Sequence, residues 1–328
     1  MASSNAVVYR LQGIPNFAKT FEDVVNLLRR DRKHLYDAYE PEIFSLATNI
    51  PHARGLAASK VATLMFNPRH PTIRRSPRTA NAESILDTTL GPEQILKVVN
   101  GVRDGLVLDK DFLGLTPLND AAEGGHEHDF IAISGIGSHP FGSWQAHGGD
   151  KRFMWLRDAL PTTFPFTRVL LYGYKTELQN SKSFQRIPDI ARTLITFIES
   201  LSRSSERQRP IVFIAHSLGG IVLQEALVQL THTISHVKDL GYLLEKVVGA
   251  IFFGVPNQGM AIEHLLSLAD RNPNHRLIED IKPHSRYLDY LGPQFEQKLS
   301  GKIFLWGYET RESRIPVVSL LLIHQCSH

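Results

Sequence analysis

Ile211-Val212-Phe213-Ile214-Ala215-His216-Ser217-Leu218-Gly219-Gly220 decides how the chain is read. Ile211 to Ala215 is apolar without alternation, the pattern of a strand buried on both faces. Leu218 to Leu230 then carries its apolar residues at helical spacing. Between them stands a serine with Ala215 two positions before it and Gly219 two positions after. A serine on so sharp a strand-to-helix turn is held in a strained backbone conformation, and bulky neighbours would collide with strand and helix. The pattern A-x-S-x-G relaxes G-x-S-x-G at a position where alanine is still small enough. Such an elbow is expected to present an exposed Ser217 hydroxyl, with a helix N-terminus at its back and the Leu218 amide aimed at a developing oxyanion.

From Asp129 onward, continuous apolar runs alternate with helix-period segments. Strands are expected at Phe130 to Ser134, Arg168 to Tyr174, Pro210 to Ala215, Lys246 to Gly254, Lys302 to Glu309 and Ile315 to Ile323. Helices are expected at Met154 to Leu160, Phe184 to Leu201, Leu218 to Leu230, Ala261 to Leu268 and Pro293 to Leu299. Strands buried on both faces belong to a mostly parallel sheet flanked by helices, an α/β class of domain. A second oxyanion donor is expected in the loop after the first strand, Ser134-Gly135-Ile136-Gly137-Ser138, where glycines permit close approach and Ile136 is the candidate amide.

Asp129 to Trp144, Met154-Trp155-Leu156-Arg157-Asp158, Leu171-Tyr172-Gly173-Tyr174, the elbow, and Phe252-Phe253-Gly254-Val255-Pro256 together resemble the lipase-like family of serine active site-containing proteins. The likeness spans about residues 105 to 310 and is nearest to fungal relatives joined to NACHT modules and ankyrin repeats; no Walker A motif or ankyrin period occurs here. The resemblance implies an α/β-hydrolase fold and a carboxyl-ester hydrolase of lipase or esterase type with Ser217 as nucleophile. It implies no metal and no cofactor. It also implies lipid esters as substrates, a part in lipid metabolism, and peripheral association with mitochondrial or endoplasmic-reticulum membranes.

The family's acid stands in a Tyr-Glu-Thr context, which Tyr308-Glu309-Thr310 matches; Glu312 is the runner-up. A carboxylate at the C-terminal edge of a strand can orient an imidazole beside Ser217, in the order Ser, acid, His. Of the fifteen histidines, His324 and His328 follow Glu309 and the last expected strand, and His324 would stand at that strand's C-terminal edge. His216 reads as packing, and His139 and His147 lie in a loop where a lid would form. Ser134 stands where many hydrolases have histidine, and two departures from the family stand out: Asn257-Gln258-Gly259 replaces a His then Arg-Gly, and the helix that carries the family's catalytic histidine is missing. The expectation is a formed elbow and a present acid, with the base unfilled or poorly placed. A hydrolase fold kept as a recognition surface in signalling or scaffolding is the alternative.

Before this domain, Val7 to about Pro68 reads as strand, helix, strand, strand, with a turn at Gly13 to Pro15 and helical spacing at Phe21, Val24, Val25 and Leu28. That order suits a small α+β unit of ferredoxin-like or RNA-recognition-motif type. Only Tyr9 and Phe66 are available to stack on bases, so nucleic acid is not an expected partner. The domains are therefore expected at 1–68, a connector at 69–128 holding one or two short strands, and 129–328 for the hydrolase domain, apparently truncated at its C-terminus.

A net charge of +3 and 42% hydrophobic residues exclude a fibrous or broadly disordered chain and demand no polyanionic partner. The basic cluster Arg69, Arg74, Arg75 and Arg78 is broken by prolines and reads as a solvated loop. The single cysteine, Cys326, excludes an intramolecular disulfide and a cysteine-based zinc site, and with no secretory leader evident it suggests an intracellular setting.

Overall fold

The computed structural model describes residues 7–31, 33–50, 59–69, 105–120, 125–146, 152–178, 181–203, 209–233, 240–269 and 272–308. The expected strand at Ile315 to Ile323, and Glu309, Glu312, His324, His328 and His147, lie outside them. Two compact units are present, one drawn mainly from residues before 113 and the other mainly from residues after 120.

In the first unit, β1 (Val8–Pro15), α1 (Phe21–Asp31), α2 (Lys33–Ala38), β2 (Tyr39–Thr48), β3 (Ser59–Pro68) and β4 (Val107–Asp109) follow in order. The sheet runs β2-β3-β1-β4 with every pair antiparallel, the ferredoxin-like arrangement. Helix α1 begins with a reciprocal cap: Thr20 Oγ1 accepts from the Asp23 amide at 3.1 Å while the Asp23 carboxylate accepts from the Thr20 and Lys19 amides. Those backbone hydrogen bonds hold the Asp23 carboxyl below its ordinary range. Val24, Leu27 and Leu28 then point into a core shared with Leu11, Ala62 and Leu64.

The turn expected at Gly13 to Pro15 is instead a bulge within β1, where the register to β3 slips between Leu11 and Ile14 and Gly13 takes a φ of +79°. A bulge lets the chain keep its ladder past an extra residue, and glycine supplies the left-handed conformation it needs. Tyr9 and Phe66, the candidates for base stacking, pair edge-to-face at 5.8 Å in this unit's core, with Phe66 buried. Their rings are therefore committed to packing. Strand β4, from the stretch read as a connector, completes the sheet, and its Asp109 holds Arg10 through both carboxylate oxygens at 2.9 and 3.2 Å.

The second unit is an α/β-hydrolase fold. Its sheet contains β5 (Gly114–Pro117), β6 (His128–Ile133), β7 (Thr167–Gly173), β8 (Ile211–His216), β9 (Val247–Phe253) and β10 (Ile303–Gly307), in the order β10-β9-β8-β6-β7-β5. The pairs from β10 through β7 are all parallel. The connecting helices are α3 (Trp155–Asp158), α4 (Leu160–Thr163), α5 (Ile187–Arg203), α6 (Leu218–Thr233), α7 (Gly241–Lys246), α8 (Glu263–Leu268), α9 (His275–Glu279) and α10 (Arg286–Lys298). Helix α5 buries Ile187, Ile190, Ala191, Leu194, Ile198 and Leu201 at helical spacing, leaving its polar face outside. Helix α6 is apolar nearly all round, as a helix enclosed between the sheet, α5 and α10 must be.

Helix α10 begins seven residues before the expected Pro293. Ser285 caps it by accepting from the Leu288 amide at 3.2 Å, and Pro293 sits inside. Proline costs one internal hydrogen bond there, but Leu288, Leu291 and Phe295 bury a face that holds the helix together. Among the described residues no helix is long and apolar enough to cross a membrane.

Phe213, fully buried at the centre of β8, is expected to lose about 3–5 kcal/mol of second-unit stability on replacement by Ala. At Gly249 a Cβ would lie 1.9 Å from the Ile303 carbonyl oxygen, so Gly249→Val is expected to break the β9–β10 pairing. Urea unfolding followed by circular dichroism checks both, the unfolding midpoint falling in each variant.

Candidate active site

Ser217 stands between the last residue of β8 and the first of α6 with a φ of +54°, a left-handed backbone that a non-glycine residue adopts only when its surroundings impose it. Two hydrogen bonds impose it here: the Ser217 amide donates to the Phe253 carbonyl of the neighbouring β9 at 2.9 Å, and the Gly220 amide closes the turn onto the Ser217 carbonyl at 2.9 Å. Three glycines make room. A Cβ on Gly219 would lie 2.5 Å from the Ser134 carbonyl oxygen, and one on Gly220 would lie 2.2 Å from Val255 Cγ2. The third is Gly135, where a Cβ would meet Ser217 Cβ at 2.7 Å and Ser217 Oγ at 3.0 Å. The loop after β6 therefore lies directly against the serine.

Leu218 opens α6, so its amide has no partner within the helix. Ile136 follows Gly135 in the loop against Ser217, its side chain packed on the core. Ser217, Leu218 and Ile136 are thus brought together at the C-terminal edge of the parallel strands, where open α/β sheets place their ligands. Taken as a whole residue Ser217 is 6% exposed, because a residue pinned to β9 and covered by Gly135 has little surface left.

The loop that carries Ile136 is itself fixed. Tyr174, buried just past the end of β7, donates its hydroxyl to the Ser134 carbonyl at 2.8 Å. Burial, with the neighbouring Tyr172, holds the Tyr174 phenol far above its ordinary range, so it remains a donor. Ser138 donates to the Gly135 carbonyl at 2.7 Å, Thr176 to the Ser138 carbonyl at 3.0 Å, and the Gly137 amide to the Thr176 carbonyl at 2.9 Å. Tyr174 was visible in the sequence as the end of a strand run, but nothing in its spacing reveals the carbonyl it reaches.

The histidines near the elbow have other engagements. His139 Nδ1 accepts the Phe141 and Gly142 amides at 3.2 Å each, at the start of the 3₁₀ turn Gly142–Trp144. A nitrogen so used carries no proton and offers no free lone pair as a base. His216 packs against the edge of Trp144 with ring centroids 6.5 Å apart. Asn257, where the family pattern has histidine, accepts from Gln224 of α6 at 2.7 Å. Among the described residues no three histidine, cysteine or carboxylate side chains gather as a metal site.

Strand order, parallel pairing and the serine turn after the central β8 define the class, a domain with the α/β-hydrolase fold. The chain is similar to the mouse (Mus musculus) Protein SERAC1, at 24% identity over 149 residues, covering 40% of this chain and 22% of that protein. It is similar also to the zebrafish (Danio rerio) Protein SERAC1, at 25% over 109 residues, covering 32% and 16%. The chain thus spans about a fifth of the length of these relatives. No family model matches it. Solved structures with a partial likeness include the Bacillus licheniformis lipase BlEst2, with a TM-score of 0.41, 11% identity, and 58% of this chain matched to 70% of that one. Phospholipase PlaB from Legionella pneumophila gives 0.40 and 13%, with 55% matched to 38%.

Ser217→Gly and Ser217→Ala both remove the hydroxyl, but glycine alone relieves the left-handed backbone, so Ser217→Gly is expected to be the more stable by about 1 kcal/mol in chemical denaturation. Tyr174→Phe leaves the Ser134 carbonyl without its buried donor, and a loss of about 1–3 kcal/mol is expected in the same measurement.

Proposed function

We propose that the chain is a serine hydrolase of carboxyl esters in which Ser217 is the nucleophile. The supporting observation is the left-handed Ser217 backbone between β8 and α6, held against the Gly135–Ile136 loop. In this reading Ser217 Oγ attacks the acyl carbon as an imidazole takes its proton, and the carbonyl oxygen becomes an oxyanion held by the Leu218 and Ile136 amides. Collapse expels the alcohol, which regains the proton from the imidazolium. Water, deprotonated by the same imidazole, then attacks the acyl-enzyme and releases the acid. Glu309 would orient the imidazole, and His324 is the candidate to supply it.

Lipid esters as substrates, peripheral contact with a membrane of mitochondrion or endoplasmic reticulum, and a place beside NACHT or ankyrin modules belong to the same proposal. They are supported by the resemblance of the Asp129 to Trp144 and Phe252 to Pro256 segments to the serine active site-containing family.

Fluorophosphonate labelling tests the nucleophile: the wild type is expected to label at Ser217, and Ser217→Ala to abolish labelling. Equal labelling of both would favour the recognition-surface reading. With p-nitrophenyl esters, Glu309→Gln is expected to lower kcat about a thousandfold or more if it orients the base. Loss of turnover in His324→Ala would assign the imidazole. Unchanged turnover there would move the base to another residue.

A further inference from the structure

On the second unit, a cavity of about 620 Å³ opens between the start of α5 and the turn joining α9 to α10. Its wall includes Arg186, Asp280, Lys282, His284, Arg286 and Tyr290. Of the two acidic members Asp280 is paired, and Glu279 has a charged partner only when His275 is protonated. Asp280 receives Arg186 in a fork, Nη2 at 2.7 Å to Oδ1 and Nε at 3.1 Å to Oδ2, and Glu279 faces His275 at 3.7 Å. Among the described residues Lys282 and Arg286 have no acidic partner, and both are exposed to the cavity.

The turn that presents them is rigid. The Ser285 hydroxyl donates to the Asp280 carbonyl at 2.6 Å, the Ser285 amide to the Lys282 carbonyl at 3.2 Å, and the Met260 amide to the Ile281 carbonyl at 2.9 Å. Gly259 lies so near that a Cβ there would be 2.4 Å from the Lys282 carbonyl oxygen. Closed in this way, the turn forces His284 to a φ of +54°, a conformation that a β-carbon disfavours. Lys282, His284 and Arg286 are thereby held on one short turn, with Tyr290 a turn further along α10.

We infer that this cavity binds a phosphate monoester. Two uncommitted cations match a dianion better than a single carboxylate, with lysine acting as a point charge and arginine as a fork. The hollow is largely open to solvent, its volume leaves room beyond the phosphate, and Tyr290 stands in its wall. This site takes no part in the ester-cleavage proposal and does not depend on it.

Titration calorimetry at low ionic strength with glycerol 3-phosphate, and sedimentation with phosphatidylcholine vesicles containing phosphatidic acid, read the same chemistry from two sources. Binding of glycerol 3-phosphate identifies a free phosphorylated molecule, and binding to the phosphatidic acid vesicles alone identifies a lipid headgroup; either supports the site. In both arms Lys282→Gln combined with Arg286→Gln is expected to weaken binding tenfold or more. Both side chains are exposed, so an unchanged thermal unfolding curve is expected alongside. No binding in either arm, binding that the double variant leaves intact, or tighter binding of succinate than of glycerol 3-phosphate would overturn the inference.

Discussion

A serine that must occupy left-handed backbone between a strand and a helix sets the terms for everything around it. The conformation costs about 1–2 kcal/mol in a residue with a β-carbon. It persists because β8 and α6 are among the most enclosed elements of the unit, and abandoning the turn would break up the core that Ile211 and Phe213 share with Ile221 and Val222. Burial of one such side chain contributes about 1.5–3 kcal/mol, so a handful of them outweighs the strain. The Ser217 amide bonded to Phe253 then ties the elbow to the next strand, and the turn cannot relax without disturbing β9.

The glycines follow from that constraint. Gly219 is small because the carbonyls ending β6 pass beneath it, Gly220 because Val255 packs there, and Gly135 because the loop after β6 rests on the serine itself. Parallel pairing of β6, β8 and β9 brings all three loops to one edge of the sheet. Tyr174 and Ser138 then hold the Ser134 and Gly135 carbonyls, so the direction of the following amides is set by side chains outside the elbow.

Local signals were legible in the sequence, and distant pairings were not. The elbow could be read because a buried strand, a small-residue turn and a helix are contiguous from Ile211 to Leu230, and the parallel sheet because its strands are uniformly apolar. Gly13 misled, since a glycine beside a proline has the composition of a turn whether the chain reverses or only bulges. Pro293 misled for a similar reason: the rule that proline opens helices ignores Ser285, whose side chain does the capping eight residues before the expected start. Tyr9 and Phe66 have the residue types of a base-stacking platform, but which face of a strand they occupy depends on where α1 packs. The near-complete burial of Ser217 was invisible because it depends on Gly135, eighty-two positions earlier in the chain.

The imidazole is where this distinction bears on chemistry. A base must bring a free ring nitrogen to the serine, and several of the described histidines have contacts of their own. His139 uses Nδ1 to receive two amides, His216 packs on Trp144, His232 lies against Lys298 at 2.8 Å, and His284 faces the separate cavity. His128 begins β6, at the opposite end of the sheet from Ser217. The elbow and the loop after β6 take their shape from backbone hydrogen bonds and glycine contacts. In the proposed mechanism the two halves of the machinery are therefore physically separable: the Leu218 and Ile136 amides would stabilise the developing oxyanion, and the imidazole would take the proton of Ser217.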